Sequence, residues 1–154
     1  MMRARMRVPT KETMNAMQFK KISETVTVSP QITAADVPAI AAAGYRAILC
    51  NRPDEESADQ PAYAEIEVAA RATGLEILFQ PVIAGQVSDQ DGADFRAAIA
   101  ALPKPVFAYC RTGTRCAVLW SLAHASQLTV DQIMQATQAA GYDLAALAPR
   151  LGAS

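Results

Sequence analysis

Cys110 and Arg115 bracket a short Thr-Gly-Thr turn in the stretch Cys110-Arg111-Thr112-Gly113-Thr114-Arg115. Before it, Pro105-Val-Phe-Ala-Tyr109 is a short apolar and aromatic run, the pattern of a buried strand. After it, Cys116-Ala-Val-Leu-Trp120 opens an apolar run that reads as a buried helix. A loop passing from a strand into a helix turns backbone N–H groups toward a common centre, and the helix N-terminus adds partial positive charge. Gly113 permits a positive φ and a close backbone approach to a ligand. Arg115 offers a planar fork of donors for two oxygens. A thiol placed where these groups converge ionises readily, with a pKa of about 3.5–7.5 instead of about 8.5. The pattern therefore points to Cys110 as a nucleophilic thiolate and to Arg115, with Thr112, Gly113 and Thr114, as its anion cradle. Arg111 either steers anions or is simply solvated. A structural cysteine beside a surface ion pair is the alternative reading, and the joint pattern favours the nucleophile.

The elements that must position this loop alternate between strand and helix. Residues 20–29 read as a strand, and Thr33-Ala-Ala-Asp36 as a capping box ahead of a helix that Gly44 stops. Arg46-Ala-Ile-Leu-Cys50 reads as a buried strand that ends in the polar cluster Asn51-Arg52-Pro53-Asp54-Glu55-Glu56. Ligands of open α/β sheets gather at such strand ends. A helix over Tyr63–Thr73, a core strand over Leu75–Phe79 and a helix from Ser88 to about Leu102 follow. Beyond the key helix, Thr129-Val-Asp-Gln132 caps another helix that ends near Gly141, and Asp143 caps a last short one over Leu144–Leu151. This order predicts a three-layer α/β fold, a mainly parallel central sheet with helices on both faces.

At 154 residues, 51% of them hydrophobic, the chain fits one domain with a sizeable core. No apolar run reaches the length of a membrane span. Residues 1–21 carry six basic residues and one acid, leaving eight basic and fourteen acidic residues in the remainder. An acidic body argues against nucleic acid as a partner and leaves room for a small anionic substrate at the arginines. Residues 1–19 are expected to be a disordered basic extension and residues 20–154 the domain. Three cysteines without a secretory signal point to a reducing, cytoplasmic setting. No Cys/His spacing reads as a metal site, and no cofactor is expected. The oligomeric state is not legible.

The chain resembles the phosphatase-like domain of the bacterial beta-lactamase-hydrolase-like protein family, a relative of the dual-specificity and tyrosine phosphatases. The matching pieces are Val28-Ser-Pro-Gln31, Ala43-Gly-Tyr-Arg46, Asn51-Arg-Pro-Asp54, Gly74-Leu75, Pro81-Val82, Cys110-Arg-Thr-Gly-Thr-Arg115 with Leu119-Trp120, and Ala140-Gly-Tyr-Asp143. The resemblance implies a protein-tyrosine-phosphatase-like fold with Cys110 as nucleophile and Arg115 as anion binder. Arg52, with Asp54 beside it, corresponds to the family's Arg-Pro element near the site. In longer relatives the domain is joined to a persulfide dioxygenase, so a separate persulfide dioxygenase is the implied partner. Members are called both phosphatase-like and sulfurtransferases.

Departures from the phosphatase pattern shape the expected reaction. The arginine stands one position closer to the cysteine than in phosphatases, Tyr109 replaces the usual preceding histidine, and Cys116 replaces the usual following hydroxyl residue. The shorter loop favours sulfur transfer through a Cys110 persulfide, with phosphomonoester hydrolysis through a phosphocysteine as the alternative and a non-catalytic anion-binding domain as the third reading. A phosphatase also needs an acid for the leaving group. Asp54, Asp89 and Asp91 are the available substitutes, although Ser88-Asp-Gln-Asp91 looks more like a helix start. Cys116 is either a resolving thiol for Cys110 or a small buried side chain, the latter favoured. Cys50 reads as structural, and His124 as remote from the loop.

Overall fold

The computed structural model describes residues 19–152. The expected basic extension therefore falls, up to residue 18, outside the described residues. Phe19, expected to be its last member, belongs to the domain. Its ring stacks on Tyr45 at 5.6 Å and meets Phe107 edge-on at 5.9 Å.

Strand β1 (Lys20–Lys21) pairs antiparallel with β2 (Val26–Ser29). The single strand expected over residues 20–29 is thus a hairpin. The physical cause is Ser23, whose hydroxyl accepts the N–H groups of Thr25 and Val26 and turns the chain between the two runs. A 3-10 turn over Ala34–Asp36 leads into α1 (Val37–Ala42), where the Asp36 carboxylate accepts the Thr33 N–H at 2.8 Å. Next come β3 (Ala47–Cys50), α2 (Tyr63–Ala72), β4 (Glu76–Phe79), α3 (Asp89–Ala101), β5 (Val106–Tyr109), α4 (Thr114–Ala123) and α5 (Val130–Ala139). A 3-10 turn (Ala145–Leu147) and α6 (Ala148–Gly152) close the domain, with Asp143 accepting the Ala145 N–H as expected. The capping boxes at Ser88 and Thr129 both form.

The five strands lie in the order β1-β2-β5-β3-β4, and every pairing except β1–β2 is parallel. Side chains alternate along each strand, so the central strands serve two cores. Val106 and Ala108 of β5, with Ala47 and Leu49 of β3, face a core shared with Phe95 of α3, Leu119 and Trp120 of α4, and Ile133 of α5. Phe107 and Tyr109, with Ile48 and Cys50, face the opposite core with Ile40 of α1 and Ile66 of α2. Fully burying a side chain of this size stabilises by about 1.5–3 kcal/mol, which makes β5 the mechanical centre of the domain. Strand β4 differs from the expected core strand. It sits at the sheet edge, with Leu78 and Phe79 more than a third exposed, because its outer side has no partner strand.

Parallel pairing brings the C-terminal ends of β2, β5, β3 and β4 to one rim. Cys110 N–H donates to Ser29 O, Gln31 N–H to Arg111 O, Asn51 N–H to Tyr109 O, and Val82 N–H to Asn51 O. Four segments far apart in sequence are laced together at the place where Cys110 leaves the sheet.

Candidate active site

The loop is tighter than its sequence suggests. Helix α4 begins at Thr114, so Arg115 lies in its first turn and the irregular part is only Cys110–Gly113. Gly113 has φ +90°, which L-residues rarely adopt. A Cβ at this position would also stand 1.9 Å from the Tyr142 hydroxyl. Tyr142 donates that hydroxyl to Thr112 O at 3.2 Å and so braces the loop from behind. A Gly113→Ala substitution is therefore expected to lower stability by about 1–3 kcal/mol and to displace the loop. Thermal unfolding checks this, and an unchanged melting temperature would contradict the brace.

Cys110 is buried, and its Sγ accepts the Gly113 N–H at 3.1 Å. Its pKa is brought down to about 6. The largest cause is the hydrogen bond from the Cys116 thiol, which outweighs the opposing effect of burial; the N–H groups of Cys116 and Gly113 and the charge of Arg115 add to it. Burial and the neighbouring Cys110 hold Cys116 itself well above the ordinary thiol value. It stays protonated, its one proton shared between the Cys110 sulfur and Asn51 Oδ1, which lies 3.3 Å from Sγ. Cys116 is thus fully buried, as the favoured reading expected, and also in contact with the nucleophile. Because the folded-state pKa is depressed, the thiolate forms as pH rises through about 6. Iodoacetamide inactivation should rise with a midpoint near there. Cys116→Ala should move the midpoint upward, and Cys116→Ser, which keeps a donor, should move it less. Midpoints that coincide in all three proteins would rule out the thiol as donor.

Arg115 is held deeply. Its Nη1 donates to Val82 O at 2.9 Å and to Glu56 Oε2 at 3.0 Å, with Asn51 O at 3.4 Å, while Nη2 donates to Glu56 Oε1 at 3.2 Å. Arg52 reaches the same carboxylate through Nε at 2.9 Å and is itself steadied by Gln31 and Ser57. Burial works to raise the Glu56 carboxyl, but hydrogen bonds from Arg115 and then Arg52 outweigh it and keep it below the ordinary value. The Nε–H of Arg115 is buried and has no partner. With the second proton of Nη2 it forms the side edge of the guanidinium, a pair of donors in the plane suited to two oxygens of an anion.

The expected residues divide accordingly. Cys110, Gly113, Arg115 and Cys116 come together. Thr112 and Thr114 bond to each other through their hydroxyls and, with Arg115, line a cleft of about 310 Å³ beside the loop. Ala84, Gly85, Val87, Val118 and Arg150 complete its walls. Arg111 is exposed. Arg52 positions Glu56, which in turn positions Arg115. Asp54, expected as a catalytic residue, instead accepts the Tyr63 N–H at 2.8 Å and caps α2. Asp91 accepts the Ser88 N–H and caps α3, and Asp89 pairs with Arg150. Cys50 donates to Arg52 O within the core. His124 stacks on Trp120 and bonds Trp120 O through Nδ1, remote from Cys110 as expected. Sequence reasoning missed Glu56, Asn51 and Tyr142 as individual parts of the site. The Asn51-Arg-Pro-Asp54 and Ala140-Gly-Tyr-Asp143 pieces marked their neighbourhoods but carried no sign of what each side chain touches. Among the described residues, no group of three His, Cys, Asp or Glu side chains is placed to hold a metal ion, and no helix is long and apolar enough to cross a membrane.

A parallel sheet whose central strand delivers a low-pKa thiol into a helix-capped loop with a buried arginine defines a phosphatase-like cysteine-loop protein of the protein-tyrosine-phosphatase fold. The model of the family described as beta-lactamase hydrolase-like protein, phosphatase-like domain, matches residues 18–127, and the chain belongs to that family. A beta-lactamase hydrolase-like protein of Agrobacterium fabrum is 33% identical over 132 residues, which is 84% of this chain and 31% of that protein. A counterpart from Xylella fastidiosa is 32% identical over 130 residues, 83% of this chain and 30% of that one. The chain thus spans about a third of the length of the curated relatives it matches. Among solved structures, a candidate phosphatase from Neisseria meningitidis is 40% identical with a TM-score of 0.80, covering 88% of this chain and 97% of that one. TpbA of P. aeruginosa, solved in complex with pTyr, shares the fold at 14% identity with a TM-score of 0.61, covering 90% of this chain and 93% of its own. The family description and the Neisseria meningitidis relative favour the phosphatase alternative over the sulfur transfer expected from loop length.

Proposed function

We propose that this protein hydrolyses phosphate monoesters, aryl esters above all, through a phosphocysteine on Cys110. The observation that carries the reading is the unpartnered side edge of buried Arg115 beside a thiol that ionises near pH 6. The thiolate attacks phosphorus, the phosphorus–oxygen bond to the leaving group breaks, and that oxygen leaves with the electron pair. Arg115 Nε–H and Nη2–H, with the loop N–H groups, take the charge that grows on the phosphoryl oxygens. Water then attacks the phosphocysteine, the phosphorus–sulfur bond breaks, and the thiolate returns as phosphate leaves.

The leaving group selects the ester. No carboxylic acid lines the cleft among the described residues; Asp54 and Asp91 are committed to helix caps, and Asp89 is paired with Arg150. Departure without a protein acid suits a phenolate, whose conjugate acid has a pKa of about 10. A much more basic alkoxide would need a proton, and no carboxylic acid among the cleft-lining residues gives one.

The test is release of phosphate from phenyl phosphate, inhibition by vanadate, and trapping of a phosphocysteine in acid-quenched protein. Absence of all three would remove the reading. Sulfur transfer through a Cys110 persulfide is the second reading, favoured by the contact between the Cys116 and Cys110 thiols. It predicts an added sulfur atom in the intact mass after exposure to thiosulfate, absent in Cys110→Ser. A persulfide dioxygenase is the partner that this second reading would bring.

A further inference from the structure

We infer that Arg150 selects the substrate by receiving a second anionic group, so that the preferred ester is a small aryl phosphate bearing a carboxylate. The inference rests on the phosphomonoester reading above and adds the class of ester. The cleft beside the loop carries two arginines of different standing. Arg115 is buried against Glu56, Val82 and Asn51, with Nε–H free. Arg150, from α6, is nearly half exposed and lines the same cleft. Ala84, Val87 and Val118 give the cleft apolar lining, and Thr112 and Thr114 give it polar lining. Apolar walls take a flat ring, and a volume of about 310 Å³ is at the small end of ligand sites. A ring whose phosphoryl group sits at Arg115 lies in the cleft that Arg150 also lines, so Arg150 is the remaining cation for a second substituent.

Arg150 is able to receive it. Among the described residues its hydrogen bond runs from Nη2 to Asp89 Oδ1 at 2.9 Å, and the Asp89 side chain is 90% exposed. So exposed an ion pair contributes little and exchanges easily for another carboxylate. The rest of the guanidinium fork stays available for a planar, two-oxygen partner.

The experiment compares kcat/KM for 4-carboxyphenyl phosphate and phenyl phosphate, read as a ratio, in wild type, Arg150→Gln and Asp89→Asn. Arg150→Gln is expected to lower the preference for the carboxylated ester on the order of tenfold, the effect of losing one charge-assisted hydrogen bond. Asp89→Asn removes the competing carboxylate and is expected to raise the preference. A ratio that Arg150→Gln leaves unchanged overturns the inference. So does a ratio that falls in Asp89→Asn, since Arg150 would then act by holding α6 in place. If wild type hydrolyses neither ester, the phosphomonoester reading fails by itself. Arg150 is then judged by calorimetric affinities for 4-carboxyphenylphosphonate and phenylphosphonate. A carboxylate advantage lost in Arg150→Gln supports its role, and equal affinities in wild type overturn it.

Discussion

Replacing Cys110 by serine is expected to lower aryl phosphate turnover by about 10³-fold or more while leaving a folded protein. The size of the loss follows from what surrounds the side chain. The thiol is ionised near pH 6 because Cys116 and the backbone donate to it and Arg115 lies close. A serine hydroxyl in the same place stays protonated and needs a base. The chain has one histidine, and His124 is bound to Trp120 at the far end of α4. Glu56, the carboxylate nearest the arginines, is occupied by both of them. Nothing in the site can therefore activate the alcohol. Phosphate release and thermal unfolding of the two proteins are the measurements. Serine activity within about tenfold of wild type, at equal stability, would mean that the chemistry does not pass through sulfur.

Arg115→Lys should cost about 10²–10³-fold in kcat, the usual loss when a donor to developing negative charge is removed. Lysine keeps the charge but has no rigid edge to present two N–H groups to two oxygens. Its three N–H donors would have to cover Glu56, Val82 O and the substrate, where arginine has five in a fixed plane. The Val82 carbonyl, which Arg115 meets at 2.9 Å, loses its side-chain donor, so stability should fall by about 1–3 kcal/mol as well. Steady-state kinetics with unfolding curves separate the two effects. If activity survives at wild-type level in a protein that is measurably less stable, Arg115 is a structural tie and the anion is held by the loop N–H groups alone.

The elements of the fold were legible because their signals are local. Ser88-Asp-Gln-Asp91 and Thr129-Val-Asp-Gln132 announce helix starts by side chains that reach only three residues away. The four parallel strands appear as short apolar runs, and Gly44, Gly74 and Gly141 mark helix ends with positive φ. Strand order is a long-range property, and it was not legible. Leu75-Glu-Ile-Leu-Phe79 reads as a core strand, yet β4 lies at the sheet edge with Phe79 stacked on Tyr63. The break between β1 and β2 was lost for a related reason. A run of Ile, Val and Thr favours strand whether or not a serine hydroxyl turns it.

The sequence by itself determined the nucleophile loop, the parallel α/β class and the family, because a strand, Cys110, Gly113, Arg115 and an apolar helix are consecutive in the chain. Only the tertiary structure decided how the arginine is held and what Asp54 does. Glu56 reaches Arg115 across 59 positions of sequence, Asn51 meets Cys116 across 65, and Tyr142 reaches Thr112 across 30. Such pairs exist because the sheet gathers its strand ends at one rim, and a side chain's partner there depends on strand order and not on spacing. Asp54 shows the same limit from the other side. Its type and its nearness to Arg52 suited an acid, but the fold sets the start of α2 in front of it, and an unsatisfied helix N–H takes the carboxylate.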